Sequence, residues 1–205
     1  MIRESLIGYI EQSIRQNWEI EALSNYREQG LTYRQIGEKI LMFHTFFKNT
    51  GIKEGDKIAL VGRNSANWCN VYLTTVTCGA VIVPILPDFK PDDLINLINH
   101  SDATLLFVDD KIYETIDAGK IPQVKAIISL DNFNMISATD AGIKEKYLSI
   151  EQKYPEIYPD LKPEDVKFPG ITNDKLAVIS YTGGTTGFSK GVMLTHNSLT
   201  ANVRF

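Results

Sequence analysis

A chain of 205 residues with 43% hydrophobic and 22% charged residues carries enough apolar material for one substantial core and too much for a disordered polypeptide. Its net charge of −4, spread without Lys/Arg clusters, argues against nucleic acid as a main partner. No apolar run reaches the length of a membrane span and no secretory leader pattern opens the sequence, so nothing in it indicates membrane contact.

The elements follow in chain order. Leu6, Ile7, Ile10 and Ile14 recur at helical spacing within residues 4–17. Residues 20–33 read as an extended, hairpin-like stretch turning at Gln29-Gly30. Thr32 with Gln35 forms a capping-box pattern, and the helix it opens runs to about Lys48, before Gly51. An alternation then begins. Residues 57–62 read as a strand, 65–77 as an apolar helix and 80–84 as a buried strand. Next come a helix over 92–99 behind Pro91, a strand over 104–108, a short helix over 113–118 and a strand over 124–130. Continuous apolar strands separated by helices predict an α/β fold, a mainly parallel sheet covered on both faces. Residues 131–174 are less regular. Tyr154-Pro155, Tyr158-Pro159, Lys162-Pro163 and Phe168-Pro169 suggest an irregular surface excursion, with a helix over 141–152 within it. Residues 175–182 return as a strand and deliver a loop over 181–191, and Thr195-His196-Asn197-Ser198 reads as a helix start.

That loop, Tyr181-Thr182-Gly183-Gly184-Thr185-Thr186-Gly187-Phe188-Ser189-Lys190-Gly191, carries the most chemistry. Glycines let backbone N–H groups converge on an anion. Threonine hydroxyls add donors, and Lys190 adds a mobile positive charge. The pattern is not a Walker A loop, because Gly191 and not Ser/Thr follows the lysine and Ser189 precedes it. Gly183, Gly184 and Gly187 do not give GxGxxG spacing either, which removes the dinucleotide fingerprint. The bland alternative is a solvated Gly/Thr loop; the preceding apolar strand and the placed lysine favour phosphate.

The segment resembles the phosphate-loop signature of the AMP-forming adenylating enzyme superfamily, whose usual form is Tyr-Thr-Ser-Gly-Thr-Thr-Gly-x-Pro-Lys-Gly. Leu31-Thr32-Tyr33-Arg34-Gln35-Ile36 and Gly79-Ala80-Val81-Ile82-Val83-Pro84-Ile85 are similar to two earlier blocks of that family, in order. The stretch from Asp56 to Leu60, with Asn64 to Trp68, is most like its long-chain fatty acid–CoA ligase branch. Residues 1–205 then correspond to the N-terminal portion of an AMP-binding domain. The resemblance implies that a carboxylic acid, a fatty acid in that branch, is activated with ATP to an acyl-adenylate and passed to coenzyme A. It implies that Thr182, Gly183, Gly184, Thr185, Thr186, Gly187 and Lys190 hold the β- and γ-phosphates, with Thr186 contacting Mg²⁺. It assigns no catalytic residue to this stretch, since the family's remaining machinery follows the loop. The chain is therefore expected to lack turnover alone and to self-associate through apolar surface left uncovered. Two departures, Gly183 for the usual Ser and Ser189 for the usual Pro, predict a more mobile loop. An aryl- or aminoacyl-adenylating enzyme, a phosphotransferase or NTPase with a non-standard loop, and a non-catalytic nucleotide-binding scaffold are the competing readings.

Other polar residues read as structural. His44, His100 and His196 match no metal spacing. His44 is read as a packing or surface residue, His196 as a capping or orienting one. Asp109-Asp110 follows a strand and precedes a helix, where capping is favoured over ligand binding. Asp88, Asp92 and Asp93 are expected to cap or face solvent. Cys69 and Cys78 form no CxxC pair and read as buried, reduced thiols, in keeping with a cytoplasmic location.

Overall fold

The computed structural model of the chain describes residues 4–158, 160–182 and 190–203. Helix α1, Leu6–Gln16, opens where Ser5 accepts from the Gly8 amide. Strands β1, Glu21–Leu23, and β2, Leu31–Thr32, pair antiparallel, as the extended stretch around Gly30 predicts. Helix α2, Tyr33–Asn49, begins at the expected capping box. The Gln35 amide donates to Thr32 Oγ1 at 3.3 Å and the Thr32 amide to Gln35 Oε1 at 2.8 Å, so two orphan donors of the first turn are satisfied reciprocally. The chain leaves this helix through Gly51 at φ +77°, a conformation costly for any residue with a Cβ.

The alternating region follows as β3 (Lys57–Val61), α3 (Ala66–Thr77), β4 (Val81–Ile85), α4 (Pro91–His100), β5 (Ala103–Val108), α5 (Asp110–Tyr113) and β6 (Ala126–Ser129). Then come β7 (Met135–Ala138), α6 (Ala141–Ile157), β8 (Leu176–Thr182), β9 (Lys190–Thr195) and α7 (His196–Val203). These strands build a 7-stranded sheet in the order β7-β6-β5-β3-β4-β8-β9. From β6 to β8 it is parallel; β7 and β9 run antiparallel at its edges. The predicted mainly parallel α/β sheet is what forms.

Side-chain alternation explains why both faces are covered. On β3, Ile58 and Leu60 point to the face packed by α2, α3 and α6, while Ala59 and Val61 point to the face packed by α4. All are removed from solvent. Phe43, Phe46 and Phe47 of α2 fill the first core, and Leu94 and Ile98 of α4 the second. A third, outer cluster joins Ile14 of α1 to Ile36 and Ile40 of α2 and to Val166. Arg15 ties it down, its guanidinium donating twice to the Val166 carbonyl at 2.8 and 2.6 Å.

Residues 131–174 are more regular than their prolines predict. They contain the edge strand β7 and the 17-residue helix α6, which extends past Gln152 to Ile157 and takes in Pro155. Asp140 starts α6 by accepting from the Gly142 amide. The short helix expected over 113–118 forms earlier, at Asp110–Tyr113, with a 3₁₀ turn at Ala118–Lys120. Strand β9 was not expected at all. Lys190 and Gly191, read as the tail of the loop, begin it.

Candidate functional site

In a parallel sheet, ligands collect outside the carboxyl ends of strands, where successive connections leave to opposite faces. Here β3 continues into α3 on one face, whereas β4 continues into α4 on the other. The carboxyl ends of β3, β4 and β8 frame a cleft of about 560 Å³ lined by Gly62, Arg63, Trp68, Pro87, Ser180 and Tyr181. A second hollow of about 350 Å³ lies beside it, bounded by Arg63, Asp88, Asp109, Lys111 and Asp131. Arg63, Pro87 and Asp88 line both, so the two form one crevice along the strand ends.

Strand β8 delivers the phosphate-loop sequence to this crevice. Thr182 and Lys190 are cross-strand partners at the loop end of the β8–β9 hairpin, and both are exposed. Among the described residues no carboxylate pairs with Lys190. The register thus sets the lysine and the threonine opposite each other on neighbouring strands. Gly183, Gly184, Thr185, Thr186 and Gly187, and with them the expectations for phosphate binding, Mg²⁺ contact and loop mobility, lie outside the described residues.

The crevice wall holds groups that sequence reading assigned differently. Asp109 occupies the N-cap position of α5 but makes no capping hydrogen bond with its side chain. Its Oδ2 instead accepts from the Arg63 amide at 2.9 Å, tying the end of β5 to the turn after β3. Burial raises the Asp109 carboxyl above the usual carboxylate range, the Arg63 amide opposes this, and Asp131 and Asp110 push in the same direction as burial. Gly62 makes that contact available. A Cβ there would lie 2.5 Å from Leu130 Cδ2 and 2.6 Å from Asp109 Oδ1. Gly62→Ala is therefore expected to displace the Asp109 carboxylate and cost about 1–3 kcal/mol by overpacking, measurable as a lower urea midpoint; an unchanged midpoint would remove the argument. Arg63 and Asp131 were not singled out in the sequence. Nothing in the local pattern marks them, because their role comes from strand ends brought together by the sheet.

The remaining candidates sort cleanly. His44 is a packing residue. Its Nε2 lies 3.1 Å from the Thr74 carbonyl and 3.0 Å from Thr77 Oγ1, and its ring meets Phe168 edge-on. Because a carbonyl only accepts, Nε2 carries the proton. His196 is the first residue of α7 and is buried at 1% exposure. Neither ring nitrogen has a partner among the described residues. Burial lowers its pKa, with Glu54 opposing. Thr195, not His196, does the capping, accepting from the Ser198 amide at 3.3 Å. Asp92 and Asp93 lie exposed in the first turn of α4, where they complement the helix dipole. Cys69 and Cys78 are free and only partly buried; burial raises both thiols, Cys78 to about 11, which keeps them unreactive. Among the described residues no His/Cys/Asp/Glu group is arranged to hold a metal, and no helix is long and apolar enough to cross a membrane.

Comparison with known proteins places the chain in a family. The AMP-binding enzyme family matches residues 10–205, and the chain belongs to it. A long-chain-fatty-acid–CoA ligase of Escherichia coli O6:H1 is 26% identical over 215 aligned residues, covering 98% of this chain and 38% of that protein. A 4-hydroxybutyrate–CoA ligase of Metallosphaera sedula is 27% identical over 178, covering 86% and 32%. The crystal structure of an anthranilate CoA ligase in complex with anthranoyl-AMP superposes with a TM-score of 0.75 at 19% identity, over 97% of this chain and 35% of that one. The chain thus spans about a third of the length of these relatives.

Proposed function

We propose that the chain is the N-terminal part of an AMP-forming acid–thiol ligase of the acyl-CoA synthetase type, and that it supplies the ligase's wall for the ATP phosphates. The observation that carries this reading is the pairing of Thr182 with Lys190, one residue beyond Tyr181 on the wall of the strand-end crevice, with the Gly/Thr-rich loop joining them. A lysine and a threonine on facing strand positions supply a positive charge and a hydroxyl, which suit an anion whose charge must be neutralised while its phosphoryl group is attacked. Thr182, Gly183, Gly184, Thr185, Thr186, Gly187 and Lys190 would hold the β- and γ-phosphates. Mg²⁺, met by the Thr186 hydroxyl, would share their charge. The carboxylate is proposed to be a fatty acid and the acceptor coenzyme A, as the name of the Escherichia coli relative states for that protein. The anthranilate ligase keeps an aryl acid as the alternative. The complete reaction is assigned to the longer protein; this stretch alone is expected to bind phosphate without turnover, and to self-associate.

Titration calorimetry with pyrophosphate and with ATP tests the reading. The wild-type chain is expected to bind pyrophosphate. Lys190→Ala is expected to weaken binding about tenfold to a hundredfold, the worth of one charge-assisted hydrogen bond, and Lys190→Arg to restore part of it. Equal affinity in wild type and Lys190→Ala would exclude Lys190 from the phosphate site.

A further inference from the structure

The β8–β9 hairpin is attached to the rest of the sheet in an uneven way. β4 and β8 pair at Ile82 and Val178. Beyond that point the crevice opens between Pro84 and Ile85 on one side and Ser180 and Tyr181 on the other. β8 runs alongside β4, and Pro84 has no N–H to offer a ladder there. A side-chain contact adds to what fixes this end of β8.

That contact comes from α4. His100, its last residue, places Nδ1 2.7 Å from the Tyr181 hydroxyl, and the two rings meet edge-on with centroids 5.7 Å apart. Tyr181 is 5% exposed and belongs to the core beneath α4, whereas His100 is exposed at the helix end. Burial, with the nearby Asp102 carboxylate, raises the Tyr181 pKa. The phenol therefore stays protonated, and it donates to Nδ1 or accepts from it according to the imidazole tautomer. On the other arm of the hairpin, Tyr181 faces its cross-strand partner Gly191. A Cβ at Gly191 would stand 3.3 Å from Tyr181 Cε1 and 3.1 Å from Ile179 Cγ2, so the glycine leaves room for the ring. Thr182 and Lys190 are the next pair along.

We infer that His100 is a positioning residue for the phosphate loop: its hydrogen bond to Tyr181 clamps the end of β8 to α4 and so fixes the Thr182–Lys190 pair one residue beyond the crevice wall. This rests on the phosphate reading only for its consequence in binding. The clamp itself is a property of the unliganded fold.

The test separates the two. Amide hydrogen exchange at Thr182 and Lys190 is measured without nucleotide for wild type, His100→Ala, Tyr181→Phe, the double variant, and His100→Gln. Asn99→Ala serves as a control, since Asn99 donates to the Lys120 carbonyl and not to Tyr181. Because His100 is exposed, its removal leaves the core intact. His100→Ala and Tyr181→Phe are each expected to speed exchange at both sites about three- to tenfold, the worth of one hydrogen bond. The double variant is expected to show no further gain, His100→Gln to restore slow exchange, and Asn99→Ala to change nothing. Unchanged exchange in His100→Ala, or additive effects in the double variant, would overturn the clamp. Pyrophosphate affinity of the same set is expected to fall in parallel with the exchange change. Faster exchange in the variants, with a wild type that binds no pyrophosphate, would leave the clamp standing and defeat the phosphate reading instead.

Discussion

Phe43→Ala is expected to destabilise the fold by about 3–5 kcal/mol, the cost of deleting a buried aromatic ring and leaving a cavity. Phe43 is 0% exposed and sits where α2, the sheet and α6 meet. Its ring lies 5.3 Å from Phe107 of β5, 5.2 Å from Phe133 beside β7 and 6.3 Å from Tyr147 of α6, the first two edge-on. Edge-on pairs add about 0.5–1.5 kcal/mol each beyond area burial. Three elements distant in sequence therefore lose a common partner at once. Against a typical total of about 5–15 kcal/mol, that is a large share of the stability. Urea denaturation followed by circular dichroism measures it. Phe43→Leu should recover most of the loss, and a Phe43→Ala cost below about 1 kcal/mol, within the range of surface changes, would show that the ring is not the keystone its contacts imply.

Acid should weaken the fold through His44 by up to about 3 kcal/mol between pH 6.5 and pH 4. Burial lowers the His44 pKa from 6.5 to about 4, partly opposed by the hydrogen bond to the Thr74 carbonyl. In that window the unfolded chain binds a proton that the folded chain refuses. Stability therefore rises with pH across it, is complete above pH 6.5 and stops falling through this group below about pH 4. His196 shifts in the same direction, also through burial. Carboxylates titrate nearby, so the informative quantity is the difference between wild type and His44→Gln, which keeps a donor for Thr74 without the titration. The difference in unfolding free energy should change by a few kcal/mol between pH 7.5 and pH 4.5. A difference independent of pH would assign the acid sensitivity to other groups.

Most of the architecture is legible in the sequence because its elements obey one period each. The capping box at Thr32, the glycines at 51 and 79 and the continuous apolar runs of β3, β4 and β5 need no tertiary information. The elements that escaped reading are those that tertiary pairing creates. Strand β9 is exposed along most of its length, so its pattern shows no buried face, and it exists because β8 offers it a ladder. Strand β7 is half-buried throughout and looks like loop until β6 pairs with it. Helix α6 carries Pro155, which sequence rules place outside a helix. The site divides in the same way. The loop signature is local, and so is visible. Arg63, Asp109, Asp131 and the His100–Tyr181 contact come from four strand ends and a helix terminus, and no window of sequence contains them together.

The order of strands also has a consequence for how the molecule assembles. β3 lies mid-sheet, and the chain adds β4 to one side, then β5, β6 and β7 to the other. Each of these joins strands close behind it in the chain. β8 must instead find β4 across the whole intervening stretch, from Ile82 to Val178, and α7 must reach back to α1, where the Leu6 amide donates to Thr200 Oγ1 at 3.0 Å. Loop-closure entropy places such distant pairings late. The hairpin that frames the phosphate loop is thus expected to dock late, and its Ala177, Val178 and Tyr181 then close both cores.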